Sequence, residues 1–87
     1  GEVFKGDIKE QTRRAMNNVG EVLKVADLNF ENVIKTTIFL TDMRNFADVN
    51  EVYATYFKSE PPARSCVEVS ALPKGVNVEI EVIAAHK

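Results

Sequence analysis

One cysteine, Cys66, and one histidine, His86, are all the thiol and imidazole in the 87-residue chain. A lone thiol cannot close an internal disulfide, and the two residues together fall short of the roughly four N or S ligands that a structural zinc site needs. No stretch approaches the ~20 apolar residues of a membrane-spanning helix, so no membrane partner is expected. Runs of Lys or Arg are missing too. With 11 basic against 13 acidic side chains the formal charge is −2, and the pI lies near 5.4. Because neutralising phosphates dominates affinity for nucleic acid, such a chain is a poor backbone binder and nucleic acid is not an expected partner. The sequence has no internal repeat, low-complexity tract or Gly-, Ser- or Pro-rich linker. Its opening, Gly1 to Gly6, lacks the charged and apolar regions of a secretory signal, and the unpaired thiol suits a reducing interior. The expected location is therefore cytosolic or an organelle matrix such as the mitochondrial one.

With 45% hydrophobic and 28% charged residues, the composition is that of a folded globular domain, read here as one domain over residues 1–87. A chain of this size buries only about 60 to 65% of the surface its unfolded form exposes. Disulfide and zinc are excluded, so association between copies is the remaining source of stability.

The first helix begins after Gly6-Asp7, with Asp7 as N-cap and Glu10 placed for a capping box. Ile8, Ala15, Met16, Val19, Leu23 and Ala26 recur at three- and four-residue steps on one face. Gly20 costs this helix about 1 kcal/mol relative to Ala, which suggests a close approach to a sheet. Residues 33–41 are rich in β-branched and aromatic side chains and read as a strand, with Ile34, Thr36, Ile38 and Leu40 on the more apolar face. Phe39 makes the other face too apolar for full solvation, a hint that another chain covers it. Asn45, followed by Asp48, reads as the N-cap of a second helix carrying Phe46, Val49, Tyr53, Tyr56 and Phe57 on one side, and Pro61-Pro62 ends that element. Tyr53, Tyr56 and Phe57 fit core packing better than a base-stacking platform, which usually has basic neighbours.

Two more strands follow. Residues 64–72 alternate Val67, Val69 and Ala71 against Arg64, Cys66, Glu68 and Ser70, and residues 76–83 alternate Val76, Val78, Ile80 and Val82 against Asn77, Glu79, Glu81 and Ile83. If the two strands are neighbours, matching their apolar faces puts Arg64 and Glu79 on a common face. With a short strand fragment ahead of the first helix, the expected fold is α+β, both helices on one side of a mixed sheet.

Chemistry concentrates in residues 62–69, where a guanidinium, a thiol and a carboxylate fall on alternate residues, with Glu79 and Glu81 available from the last strand. The planar fork of Arg64 suits a small anionic carboxylate, and a nearby carboxylate side chain orients or activates water. The same residues also read as a surface ion pair of Arg64 with Glu68 or Glu79, and spacing leaves both readings open. Cys66 lacks a base within sequence reach and reads as a packed or backbone-contributing residue rather than a nucleophile. Asn50, on the second helix, is either a surface amide or a group that reaches a ligand.

Val33-Ile34-Lys35-Thr36-Thr37-Ile38-Phe39-Leu40, Asn45-Phe46-Ala47-Asp48-Val49-Asn50, Pro62-Ala63-Arg64-Ser65-Cys66-Val67-Glu68-Val69 and Leu72-Pro73-Lys74-Gly75 followed by Val78-Glu79-Ile80-Glu81 together resemble the Rid (YjgF) family of reactive intermediate deaminases. The resemblance covers essentially the whole chain. It implies a chorismate-mutase-like α+β fold, a homotrimer with ligand clefts between subunits, and an N-terminal hairpin that lies ahead of the point where this sequence begins. The implied activity is hydrolysis of 2-imino acids (2-iminobutanoate, 2-iminopropanoate) to 2-keto acids and ammonia, with no metal or organic cofactor. In that picture Arg64 clamps the substrate carboxylate, Glu79 of a facing subunit positions the attacking water, Cys66 offers main-chain contacts and Asn50 supports the cleft. Endoribonuclease activity with inhibition of translation, and non-catalytic binding of small carboxylates, are the competing functions.

Overall fold

A computed structural model describes residues 7–86. The strand fragment expected ahead of the first helix falls outside these residues. Helix α1 spans Ile8–Val25, and the Asp7 carboxylate accepts the Glu10 backbone N–H at its start, as the sequence predicts. It ends in a Schellman arrangement. The N–H of Leu28 donates to the carbonyl of Leu23 at 2.8 Å and that of Asp27 to Lys24 at 3.0 Å, with Asp27 at φ 61° in the left-handed position usually given to glycine. Ala26 is the exposed cap residue rather than part of the buried stripe.

Strand β1, Val33–Leu40, lies in the middle of a three-stranded sheet of order β2-β1-β3. Helix α2 (Phe46–Ala54) crosses over to β2 (Ala63–Glu68), which runs parallel to β1, and β3 (Val78–Ala84) returns antiparallel on the other side. Among the described residues, the most β-branched segment thus takes the one position with neighbours on both edges. The helices share one face of this mixed sheet, and Met16 of α1, Val49 and Tyr53 of α2, and Ile38, Leu40, Val78 and Ile80 of the strands form the core.

Several sequence expectations change here. Ile34 is exposed and Val33 buried, because a bulge between Val33 and Lys35 switches the face on which the strand's first residues fall. Asn45 precedes α2 without a side-chain cap bond. The capping carboxylate is Asp42, which accepts the Arg44 N–H at 2.9 Å and opens a 3-10 turn, Met43–Asn45, that leads into α2. Gly20 approaches an aromatic ring rather than the sheet: a Cβ there would meet Phe30 at 3.2 Å. The strands of residues 64–72 and 76–83 are not neighbours, since β1 separates them.

The connection from β2 to β3 passes over the end of β1 and is held by side-chain amides. Gln11, buried on α1, donates to Asn77 Oδ1 at 3.1 Å and accepts the Asn77 backbone N–H at 2.8 Å. The Asn77 side-chain amide in turn donates to Thr41 Oγ1 at 3.1 Å, and the backbone carbonyl of Asn77 accepts the Thr41 N–H at 3.1 Å. One side chain therefore ties α1 to the ends of both β1 and β3. Among the described residues no helix is long and apolar enough to cross a membrane. Replacing Gln11 with Leu keeps the bulk but leaves Asn77 with an unmet donor and acceptor; we expect a loss of about 1 to 3 kcal/mol, read as a lower urea midpoint at unchanged slope.

Candidate carboxylate-binding site

On α2, Phe46, Asn50 and Tyr53 stand at i, i+4 and i+7 and so lie along one stripe of the helix. Arg64, the second residue of β2, pairs in register with Thr36, whose side chain is fully buried on the helix side of the sheet. Parity along the strand then sends Arg64, Cys66 and Glu68 to that same side. Val67 shares the outer face with Phe39 and is 40% exposed, so the apolar face expected to pack inward on this strand is the outward one. Alternation alone does not tell which of two partly apolar faces meets the core, and Phe39 gives the outer face apolar company of its own.

Each of the three inward residues is engaged. Arg64 Nη1 donates to Asn50 Oδ1. Its Cζ sits 5.2 Å from the centre of the Phe46 ring and 5.4 Å from that of Tyr53, within cation–π range. Cys66 packs against the core and touches Met43 Sδ at 4.0 Å. Glu68 Oε1 accepts the Met43 N–H at 2.7 Å and so braces the turn that starts α2. Arg44 bonds to Asp42 from both side chain and backbone, and these bonds hold the Asp42 carboxyl below the usual range.

The surface ion pair read from the sequence does not form: among the described residues Arg64 has no acidic partner. Its charge meets a neutral amide and two rings. Nor do Arg64 and Glu79 share a face. Glu79 pairs with Phe39, on the outer side of the sheet and across β1, so one chain alone does not bring the two groups together. Glu79 and Glu81 instead line an open groove of about 1060 Å³ along β3 and α1, with Arg14, Lys35 and Lys74 on the same walls. Arg64 is not part of that groove.

Phe46 and Tyr53, read from the sequence as core aromatics, are core on one side and a support for the guanidinium on the other. The signal that would have found them is the shared stripe with Asn50, which assigns the amide and the rings to a single ligand or partner. His86 is exposed. Among the described residues no cluster of His, Cys, Asp and Glu is placed to hold a metal ion.

Burial pushes the Cys66 thiol above its ordinary value, and the nearby Arg64 charge pulls it partway back. At neutral pH the group is a thiol, which argues against nucleophilic chemistry.

A profile of the family described as Endoribonuclease L-PSP matches residues 1–86. A mouse protein named 2-iminobutanoate/2-iminopropanoate deaminase is 49% identical over 99% of this chain, which spans 64% of that protein's length. A Rid family protein of Yersinia pestis superposes with a TM-score of 0.94 at 50% identity, covering 99% of this chain and 69% of its own. TdcF of Escherichia coli, solved with bound serine, gives 0.93 at 40% identity over 98% of this chain and 69% of its own.

Alkylation reads the state of this thiol. The rate of iodoacetamide modification of Cys66 should inflect above the pH at which a free cysteine does, and Arg64→Gln should move it higher still. An inflection at or below the ordinary thiol value contradicts the assignment.

Proposed function

Because the chain belongs to the endoribonuclease L-PSP family, the group of Rid (YjgF) proteins, we propose that it hydrolyses 2-imino acids such as 2-iminobutanoate and 2-iminopropanoate to 2-keto acids and ammonia. The observation that carries this reading is Arg64: an exposed guanidinium, braced by Asn50, Phe46 and Tyr53, with no counter-charge among the described residues. Such a group is set to take a carboxylate. The mouse relative's name supplies the imine, and the serine bound to TdcF is itself a small amino-acid carboxylate.

The second catalytic group in this proposal is Glu79. Glu79 lies on the far side of β1, so in this proposal the substrate bridges Arg64 of one copy and Glu79 of another, at a seam of the homotrimer that the family resemblance implies. The outer sheet face offers Phe39, Val67 and Ile83 to such a seam. Glu79 takes a proton from water as its oxygen attacks the imine carbon. Glu79 passes that proton to the nitrogen of the resulting carbinolamine. The C–N bond then breaks, its electron pair leaving with ammonia, and the hydroxyl proton returns to the Glu79 carboxylate as the ketone forms. Cys66 contributes main-chain contacts at the imine end, in keeping with a thiol held neutral. An iminium carbon is already electrophilic, so placement of water and pairing of charge supply most of what the step needs.

A second reading, binding of a keto or amino acid without turnover, draws on the TdcF complex. The endoribonuclease reading draws on the family's description; the acidic pI and the single exposed histidine weigh against it.

Decay of iminobutanoate generated in situ separates these functions. Acceleration by the protein that Arg64→Ala reduces by about 100-fold or more supports the deaminase. Equal acceleration by wild type and variant removes the clamp, and 2-ketobutyrate binding with no acceleration favours the binding module. Sedimentation should give a species three times the mass of one chain, and a stable monomer contradicts the shared cleft.

A further inference from the structure

We infer that residue 50 has to be a neutral acceptor: Asn50, with the Phe46 ring, fixes the Arg64 fork without cancelling its charge, and this is what leaves the site selective for a carboxylate ligand. The inference rests on the reading of Arg64 as a carboxylate clamp and adds to it a positioning residue that acts through the guanidinium.

The geometry has three parts. Asn50 Oδ1 takes one N–H of Nη1, and among the described residues Nε and Nη2 have no acceptor. The edge formed by Nε and Nη2 is the one a carboxylate meets with two parallel bonds. The Phe46 and Tyr53 rings, 5.2 and 5.4 Å from Cζ, limit the tilt of the guanidinium plane without contributing any formal charge. The acids of α2 are kept elsewhere: Glu51 pairs with Lys9 of α1, and Asp48 also bears on Lys9.

A carboxylate at position 50, of the same size and on the same rotamer, would reach the fork intramolecularly. Tethered groups of this kind compete at an effective concentration of about millimolar or above. The ligand would then have to displace an ion pair rather than fill an open edge. Neutrality at this position thus acts on affinity for the substrate's carboxylate more than on the chemical step.

The test compares Asn50→Asp with Asn50→Ala in the purified protein, using 2-ketobutyrate titrated by calorimetry and KM and kcat for iminobutanoate. Asp should weaken binding by about tenfold or more, and Ala, which frees the fork but adds no charge, by about two- to fivefold. The change should appear in KM with kcat less affected. A residue that only supports the fold predicts the reverse order, because truncation removes more packing than an isosteric change of charge. Ala as harmful as Asp, or Asp without effect, overturns the inference and leaves the clamp standing. If wild type and Arg64→Ala bind 2-ketobutyrate alike, clamp and inference fall together. A separate arm, independent of how Asn50→Asp folds, uses the ring: Phe46→Leu should weaken binding by about fivefold and Phe46→Tyr should restore most of it. Equal affinity for Leu and the native Phe overturns the part assigned to the ring. Thermal melting of each variant separates loss of fold from loss of binding.

Discussion

The register of β1 with its two neighbours pairs Thr36 with Arg64 on one side and Phe39 with Glu79 on the other. Because side chains alternate faces along a strand, that pairing sends the guanidinium beneath the helices and the carboxylate to the uncovered side. A slip of one residue in either ladder would turn over the strand on that side alone and put both groups on one face. Everything proposed about the site follows from this parity, including the need for a second copy of the chain to bring a carboxylate to the same ligand.

The parity also accounts for how an arginine remains open to an anion in a protein with more acidic than basic side chains. Glu68, two residues along the same strand and on the same face, is occupied in holding the Met43 N–H. Glu79 and Glu81 face the other way. Among the described residues, what remains beside the Arg64 guanidinium is an amide and two aromatic rings, partners that orient a cation without neutralising it. The same helix stripe carries Tyr53 into the core, so the rigidity of the packed interior extends to the guanidinium. A preorganised fork loses less freedom when a ligand binds, which is how packing at Tyr53 is linked to affinity at Arg64.

The 3-10 turn ahead of α2 shows a related economy of parts. Asp42 caps it, Glu68 braces it from β2, and Met43 meets Cys66 across the gap. Helix α2 is thereby anchored to β2 at the end from which Phe46 and Asn50 project. Toward the other edge of the sheet, Gln11, Asn77 and Thr41 do the corresponding work for α1 and β3. Both clamps use polar side chains at strand ends, where the ladder itself leaves backbone groups unpaired.

Local sequence determined the elements: the α1 cap at Asp7, the helical period of Met16, Val19 and Leu23, the β-branched run of β1, the alternation of Val78, Ile80 and Val82, and a motif around Arg64 dense enough to point to a family. These follow from interactions within a few residues, which a sequence displays directly. Strand order, the bulge at Ile34, the inward turn of Cys66 rather than Val67, and the separation of Arg64 from Glu79 were decided only by tertiary structure. Alternation specifies that two faces exist but not which one meets the helices, and that choice depends on how distant strands pair.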